Sequence, residues 1–215
     1  MKEIFRGKFI TFEGPEGAGK TTQIKLAAEK IQSYGTQCLL TREPGGTPLA
    51  EELRSIIKHY NGDETISPET ELLLIEAARS QHVKHKILPA LKEGKCVLCD
   101  RFTDSTCAYQ GFGRKMDMSS IRTLNEFAIS PLKINATIVM NLDVEKGFER
   151  TRIRYGNQEV FDRFESQNLL FHKNVMAGFL QIAENEPHRV AVIDASRSIE
   201  EIHAKIMEAL HELLR

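Results

Sequence analysis

Gly14-Pro15-Glu16-Gly17-Ala18-Gly19-Lys20-Thr21 fills every required position of the pattern G-x-x-x-x-G-K-[ST], and its reading decides the fold. The glycines let backbone N–H groups converge on phosphate oxygens where a Cβ would intrude, and they permit turns with positive φ. Lys20 supplies a compact positive charge for the β- and γ-phosphates of a bound nucleotide, and the Thr21 hydroxyl is placed for Mg²⁺, with Thr22 next in line. Upstream, Lys8-Phe9-Ile10-Thr11-Phe12 reads as a buried strand. Downstream, Lys20 to Tyr34, rich in Ala, Leu, Lys and Glu, reads as a helix whose N-terminus turns unpaired N–H groups and a positive dipole end toward the phosphates.

The remaining chain repeats this alternation. Gly35 reads as a helix C-cap, and Thr36 to Thr41 as a second strand that runs into Arg42-Glu43-Pro44-Gly45-Gly46-Thr47, a loop where open α/β sheets place ligand contacts. Leu49 to His59 is helical. A long helix is expected from about Pro68 to Leu91, with Leu72, Ile75, Ala78 and Arg79 along one side, which marks Arg79 as partly buried and in need of an acceptor. His82 and His85, on its later and more polar turns, are expected to be solvated. Lys95 to Cys99 forms a third strand ending in Asp100-Arg101, and an Asp there is the expected carboxylate for Mg²⁺. Ser105 to Gly111 offers hydroxyl, phenol and amide groups suited to a sugar and a base edge.

Ala136 to Asp143 is the fourth strand. Lys146 to Arg163 then carries Arg150, Arg152, Arg154 and Arg163, and on a helix Arg150 and Arg154 share a face while Arg152 turns away. Two guanidinium groups on one face can clamp phosphate oxygens, and Tyr155-Gly156-Asn157-Gln158 reads as the tip of a lid with Gly156 as its hinge. A helix from Ser166 to Glu184, a fifth strand from Arg189 to Asp194 and a last helix from Ile199 to Leu214 complete the pattern. Strands alternating with helices imply right-handed crossovers and a parallel sheet.

Composition bounds what this site serves. At 215 residues and 41% hydrophobic, the chain suits one α/β domain over 1–215 with a lid segment at about 146–163. Its net charge of −1 gives no general field for a nucleic-acid backbone, so phosphate chemistry must use local arginines. No apolar run approaches the ~18 residues of a membrane span, and a soluble cytoplasmic protein without membrane partners is expected. Of four cysteines, Cys96 and Cys99 stand as C-x-x-C in a strand, where residues three apart point to opposite faces; reduced core or near-core thiols are expected rather than a redox or zinc pair.

Glu13 to Thr22, Thr41 to Thr47, Ala77-Ala78-Arg79, Asp100-Arg101 and Ala108-Tyr109-Gln110-Gly111 together resemble the bacterial thymidylate kinases, almost end to end. The resemblance implies a three-layer P-loop kinase fold: a five-stranded parallel sheet, helices on both faces and a small lid. It implies transfer of the γ-phosphoryl of ATP to dTMP with Mg²⁺, by a homodimer. Residue by residue, it sets Glu13 beside the sugar 3′-hydroxyl, Arg42 on the acceptor phosphate and Arg79 on the thymine carbonyl. Asp100 matches the Mg²⁺-side carboxylate and Arg101 an Arg on the phosphates. Ser105 and Thr106 match base-facing positions, Tyr109 the ring crowding the 2′ position, and Gln110 completes the acceptor set. No residue from Pro15 to Ala18 is basic, as in family members whose catalytic Arg lies in the lid, so Lys20, Arg101, Arg150 and Arg154 become the expected catalytic cations.

One departure stands out. Where the family usually has a Phe on the base, four residues before the helical Arg, this chain has Ile75. A kinase for another pyrimidine monophosphate such as dUMP is therefore a second reading. A GTP-binding switch is a third, against which no Asn-Lys-x-Asp stretch occurs.

Overall fold

A computed structural model describes residues 2–155 and 163–215. After a short helix α1 (Lys2–Phe5), β1 (Phe9–Glu13) leads through the glycine-rich loop into α2 (Lys20–Ser33), and β2 (Cys38–Arg42) follows. Then come α3 (Pro48–His59), α4 (Pro68–His82), α5 (Leu88–Lys92), β3 (Cys96–Asp100), α6 (Thr103–Thr106) and α7 (Met118–Ile129). β4 (Ala136–Asn141), α8 (Val144–Tyr155), α9 (Leu169–Asn185), β5 (Val190–Asp194) and α10 (Ile199–Leu213) close the order.

The five strands are all parallel, in the order β2-β3-β1-β4-β5. All of β1, and all but the last residue of β3 and β4, is buried, because helices cover both faces; β2 and β5, at the edges, are only partly buried. One layer packs Ile24, Ala27 and Ile31 of α2 with Ile202, Ile206 and Leu210 of α10. On the opposite face lie two clusters, one around Phe171, Val175 and Phe179 of α9 and one around Phe9, Val97, Ile87 and Phe102. Fully burying each of these side chains larger than Ala contributes about 1.5–3 kcal/mol. Cys96 belongs to the first layer and Cys99 to the opposite face, as the strand period requires, and all four thiols are free.

Three features depart from the sequence reading. The expected long helix stops being α-helical at His82, widens through a π-helical segment at Val83–Ile87 and resumes as α5. Pro89 explains this: it has no N–H for the carbonyl four residues back and its ring crowds that carbonyl, while the Leu88 N–H reaches five residues back to Val83. The stretch between Gly111 and Ala136, to which the sequence reading assigns nothing, holds α7, opened by Asp117 accepting from the Ser120 N–H at 2.8 Å and burying Ile121, Asn125 and Ala128 at three- and four-residue spacing. The lid helix begins at Val144, where Asp143 accepts from the Glu145 and Lys146 N–H groups, and runs to Tyr155, the first residue of the predicted tip; the rest of the tip, with the Gly156 hinge, lies outside the described residues.

Because the strands are parallel, the loops after β1, β2 and β3 leave the same end of the sheet. Register sets Phe12 beside Asp100 and Asp100 beside Arg42. Three stretches remote in sequence thus meet at one rim.

Candidate active site

The loop after β1 closes on itself. Lys20, buried, donates from Nζ to the Gly14 and Pro15 carbonyls at 3.1 and 2.8 Å, which holds its ammonium over the loop. Burial, then the nearby Arg101, lowers its pKa, against the pull of Glu16, Asp100 and Glu13. No side chain caps the N-terminus of α2, whose preceding Gly19 has φ 87°, so the amides there remain open to an anion. The Thr21 hydroxyl donates to Asp100 Oδ2 at 3.2 Å.

Close backbone approach joins this loop to the lid helix. A Cβ on Gly17, at φ +73°, would lie 2.3 Å from the Gly147 carbonyl oxygen, and one on Gly147 would lie 2.6 Å from the Glu16 carbonyl oxygen. Both positions need glycine because the two main chains touch. Arg150, one turn along α8 from Gly147, lines the cavity and donates to the Ala195 carbonyl at 3.1 Å. Arg152 is exposed and is not among the cavity-lining residues, as the helical spacing predicts; the Arg154 side chain lies outside the described residues.

Arg101 bridges the two ends of the site. Its backbone sits at φ 71°, and its guanidinium donates to the Gly14 carbonyl at 3.0 Å, Ser105 Oγ at 3.3 Å and Glu16 Oε1 at 3.0 Å, over the Tyr109 ring. Burial alone would raise the Glu16 carboxyl; Arg101 first and Lys20 next outweigh it and hold the group well below the usual carboxylate range.

The other end is a network of buried charges. Glu43 accepts from Arg79 Nε at 2.8 Å and pairs with His82 Nδ1 at 2.9 Å, while His82 Nε2 bonds Thr41 Oγ1 at 2.7 Å. Arg79 Nη1 donates to Glu76 and to Asn125 Oδ1, and the guanidinium lies over Phe102. Burial opposes the Arg79 charge, but Glu43 and Glu76 more than offset it and push its pKa up. His82, expected in solvent, is wholly buried, because the turn at Gly46 packs against its ring and Glu43 supplies an acceptor. His85 is exposed as expected. Arg42 is half exposed and pairs with Glu51 at 2.9 Å, whose other oxygen holds the Gly46 N–H.

Together these groups wall one cavity of about 580 Å³. Glu16, Gly17, Gly19, Lys20, Thr21, Thr22, Arg42, Arg79, Asp100, Arg101, Ser105, Thr106, Tyr109, Gln110 and Arg150 all line it. Gly14 and Pro15 act from behind through carbonyls, and Ala18 packs into the core. Glu13 is a correction: expected beside a sugar hydroxyl, it is fully buried and does not line the cavity, since it accepts from the Phe102 N–H at 2.7 Å and from the Ser105 hydroxyl. Burial and the neighbouring Asp104 push its carboxyl up to about 8. Burial likewise pushes the Cys107 thiol up to about 12, so it is not a nucleophile near neutral pH.

Sequence reasoning missed Arg54, Lys58, Phe164, Glu165 and His172 on the cavity wall. The four-residue spacing of Arg54 and Lys58 announces a shared face of α3, though nothing local says what that face meets. With them, among the described residues seven Lys and Arg against four Asp and Glu line a cavity in a chain of net charge −1. The wall is therefore cationic on balance. Phe102, Tyr109 and Phe164 are the rings in its wall, and Ile75 joins them.

The family model described as thymidylate kinase matches residues 12–206. The chain is 47% identical over 206 residues to a thymidylate kinase of Geobacter sulfurreducens, covering 95% of this chain and 96% of that protein. It is 45% identical over 204 residues to one of Nostoc, covering 95% of each. Among solved structures, a thymidylate kinase from Ehrlichia chaffeensis matches with a TM-score of 0.74 at 35% identity, over 95% of this chain and 98% of that one.

Proposed function

Because the chain belongs to the thymidylate kinase family, we propose that this cavity moves the γ-phosphoryl group of ATP to dTMP, giving ADP and dTDP. The observation that carries the reading is the sharing of one hollow by Lys20 and the open α2 N-terminus on one side and Arg42, Arg79 and Gln110 on the other. Donor and acceptor meet without leaving it. An oxygen of the dTMP phosphate bonds the γ-phosphorus as the bond from that phosphorus to the β–γ bridging oxygen breaks. Little covalent chemistry is asked of the protein, so catalysis is positioning and charge stabilisation.

The loop amides from Gly14 to Thr22 and Lys20 hold the donor phosphates. Arg101 and Arg150 face the transferring group, and the four-residue spacing of Arg150 and Arg154 in the sequence assigns Arg154 the same role. Arg42 holds the acceptor phosphate, Arg79 and Gln110 meet the base with Ser105 and Thr106, and Tyr109 stands against the deoxyribose. Glu13 acts one step back, fixing Ser105. Thr21 and Asp100 are the residues that would hold Mg²⁺: both offer hard oxygens, already 3.2 Å apart, and this ion needs few protein ligands because it keeps waters and takes phosphate oxygens. When bound, it neutralises charge on the donor phosphates.

The same reading takes residues 1–215 as one kinase domain with a lid at about 146–163, working in the cytoplasm on free nucleotides. Among the described residues no helix is long and apolar enough to cross a membrane. A homodimer fits the apolar surface left on the packed pair α4 and α7, where Leu73 and Phe127 are 57% and 83% exposed.

Steady-state rates with ATP and a panel of monophosphates test the reading. dTMP is expected to give the highest kcat/KM; faster turnover of dUMP or of a purine monophosphate would reject it.

A further inference from the structure

Gln110 lines the base end of the cavity yet has only 1% of its surface exposed. Its Nε2 donates to Glu71 Oε1 at 2.9 Å. Glu71, equally buried, is gripped by Arg114 through Nε at 3.2 Å and Nη2 at 3.1 Å, one to each carboxylate oxygen, and by Arg163 Nη2 at 3.3 Å. A carboxylate so paired only accepts hydrogen bonds. The Gln110 amide can therefore lie one way round: nitrogen toward Glu71, Oε1 away from it. Among the described residues nothing bonds Oε1, and the atom is not sealed in the interior.

Arg79 presents the complementary group. Its Nε is taken by Glu43 and its Nη1 by Glu76 and Asn125, whereas Nη2 has no partner among the described residues and is likewise not sealed. The base end thus offers one fixed acceptor and one fixed donor. A pyrimidine with a 4-keto group and an N3–H carries the matching acceptor and donor side by side. A 4-amino pyrimidine carries the reverse, a donor at position 4 and an acceptor at N3.

We propose that Glu71 is a specificity-determining positioning residue: by fixing the Gln110 amide it makes the cavity take 4-keto, N3–H pyrimidine monophosphates and refuse 4-amino ones. The inference rests on the reading of this cavity as the dTMP site. A turned amide would remove the mismatch at N3, since a Gln110 nitrogen facing the base meets the N3 acceptor of a 4-amino ring, and only the Arg79 donor would then stand against the 4-amino group. Two guanidinium groups on Glu71 prevent that turn by keeping an acceptor, and only an acceptor, behind the amide. Because Arg163 also donates to the Ile57 carbonyl at 3.0 Å, the same grip ties the last residue of the lid segment to α3.

The test is Glu71→Gln, whose side chain both donates and accepts and so frees the Gln110 amide to rotate. The ratio of kcat/KM for dTMP to that for dCMP is expected to fall about tenfold or more, through the KM values of the monophosphates, while the KM for ATP stays within about twofold. A purely structural defect would move the ATP term and the melting temperature and leave the ratio alone. An unchanged ratio in a folded Glu71→Gln protein overturns the inference. Should that variant not fold, Gln110→Met leaves Glu71 with its arginines and removes the acceptor; the same fall in the ratio is expected, and an unchanged one again overturns the inference. Absence of dTMP turnover in the wild-type protein would instead overturn the reading beneath it, and the inference with it.

Discussion

In the proposed reading, the groups that face phosphate at the donor end are main-chain N–H groups of one stretch, Gly14 to Thr22, Pro15 excepted, with a buried lysine folded back over the loop's carbonyls. At the acceptor end they are side chains from β2, α3, α4 and the π-helical segment at Cys107–Gly113, and the two buried ones are held by partners distant in sequence: Arg79 by Glu43, 36 residues away, and Gln110 by Glu71, 39 away. The difference follows from the ligands. Every nucleoside triphosphate presents the same phosphate chain, which amides and one point charge can bind. An acceptor must be told from near relatives, and that takes donors and acceptors locked in orientation by buried partners.

Removing the lysine of the donor loop should have the largest effect. Lys20→Ala is expected to lower kcat on the order of 10³-fold with the fold intact by circular dichroism, because it removes a charge that the loop amides cannot replace. Near-normal turnover would break the contrast, since the donor end would then not depend on its lysine. The lid comes next. Arg150→Ala should lower kcat more than about tenfold with little change in ATP affinity, whereas Arg152→Ala, on the exposed face, should stay within about twofold. The reverse pattern would mean that α8 does not present Arg150 to the transferring group.

At the acceptor end, Arg42→Ala should raise the KM for dTMP by about tenfold and leave that for ATP nearly unchanged, as expected for losing one charge-assisted contact at a half-exposed site. Equal effects on both substrates would erase the distinction between the ends. The last prediction concerns stability behind the site. Glu13 titrates near 8 in the fold against 4.5 for an ordinary glutamate, so between those values the unfolded chain gives up this proton first, and stability falls as pH rises from about 4.5 to about 8. The loss has an upper limit of about 1.4 kcal/mol per pH unit. Glu13→Gln should flatten that part of the profile in denaturant melts at pH 5, 6, 7 and 8; parallel profiles for wild type and variant would show that Glu13 is not held protonated.

What was legible in the sequence, and why, differs between the two ends in the same way. The glycine-rich loop, the strands and helices around it and the placing of Arg42 and Asp100 at strand ends rest on local chain geometry and on a two- or 3.6-residue period, which residues declare for themselves. Arg79 could be read as buried because it shares a stripe with Leu72, Ile75 and Ala78. Its acceptor could not be read, because Glu43 stands in a loop that looks solvated. Polarity around His82 pointed outward; the Gly46 turn, brought from another strand, covered it. Glu13 lay beside the loop in sequence and behind Ser105 in space, and Arg54 and Lys58 reached the cavity only once α3 had docked. Sequence by itself determined which backbone could hold phosphate, because that property is short-range; only the tertiary structure decided which charges are buried against which partners, because a side chain's neighbours across the core are set by packing between elements that no local pattern encodes.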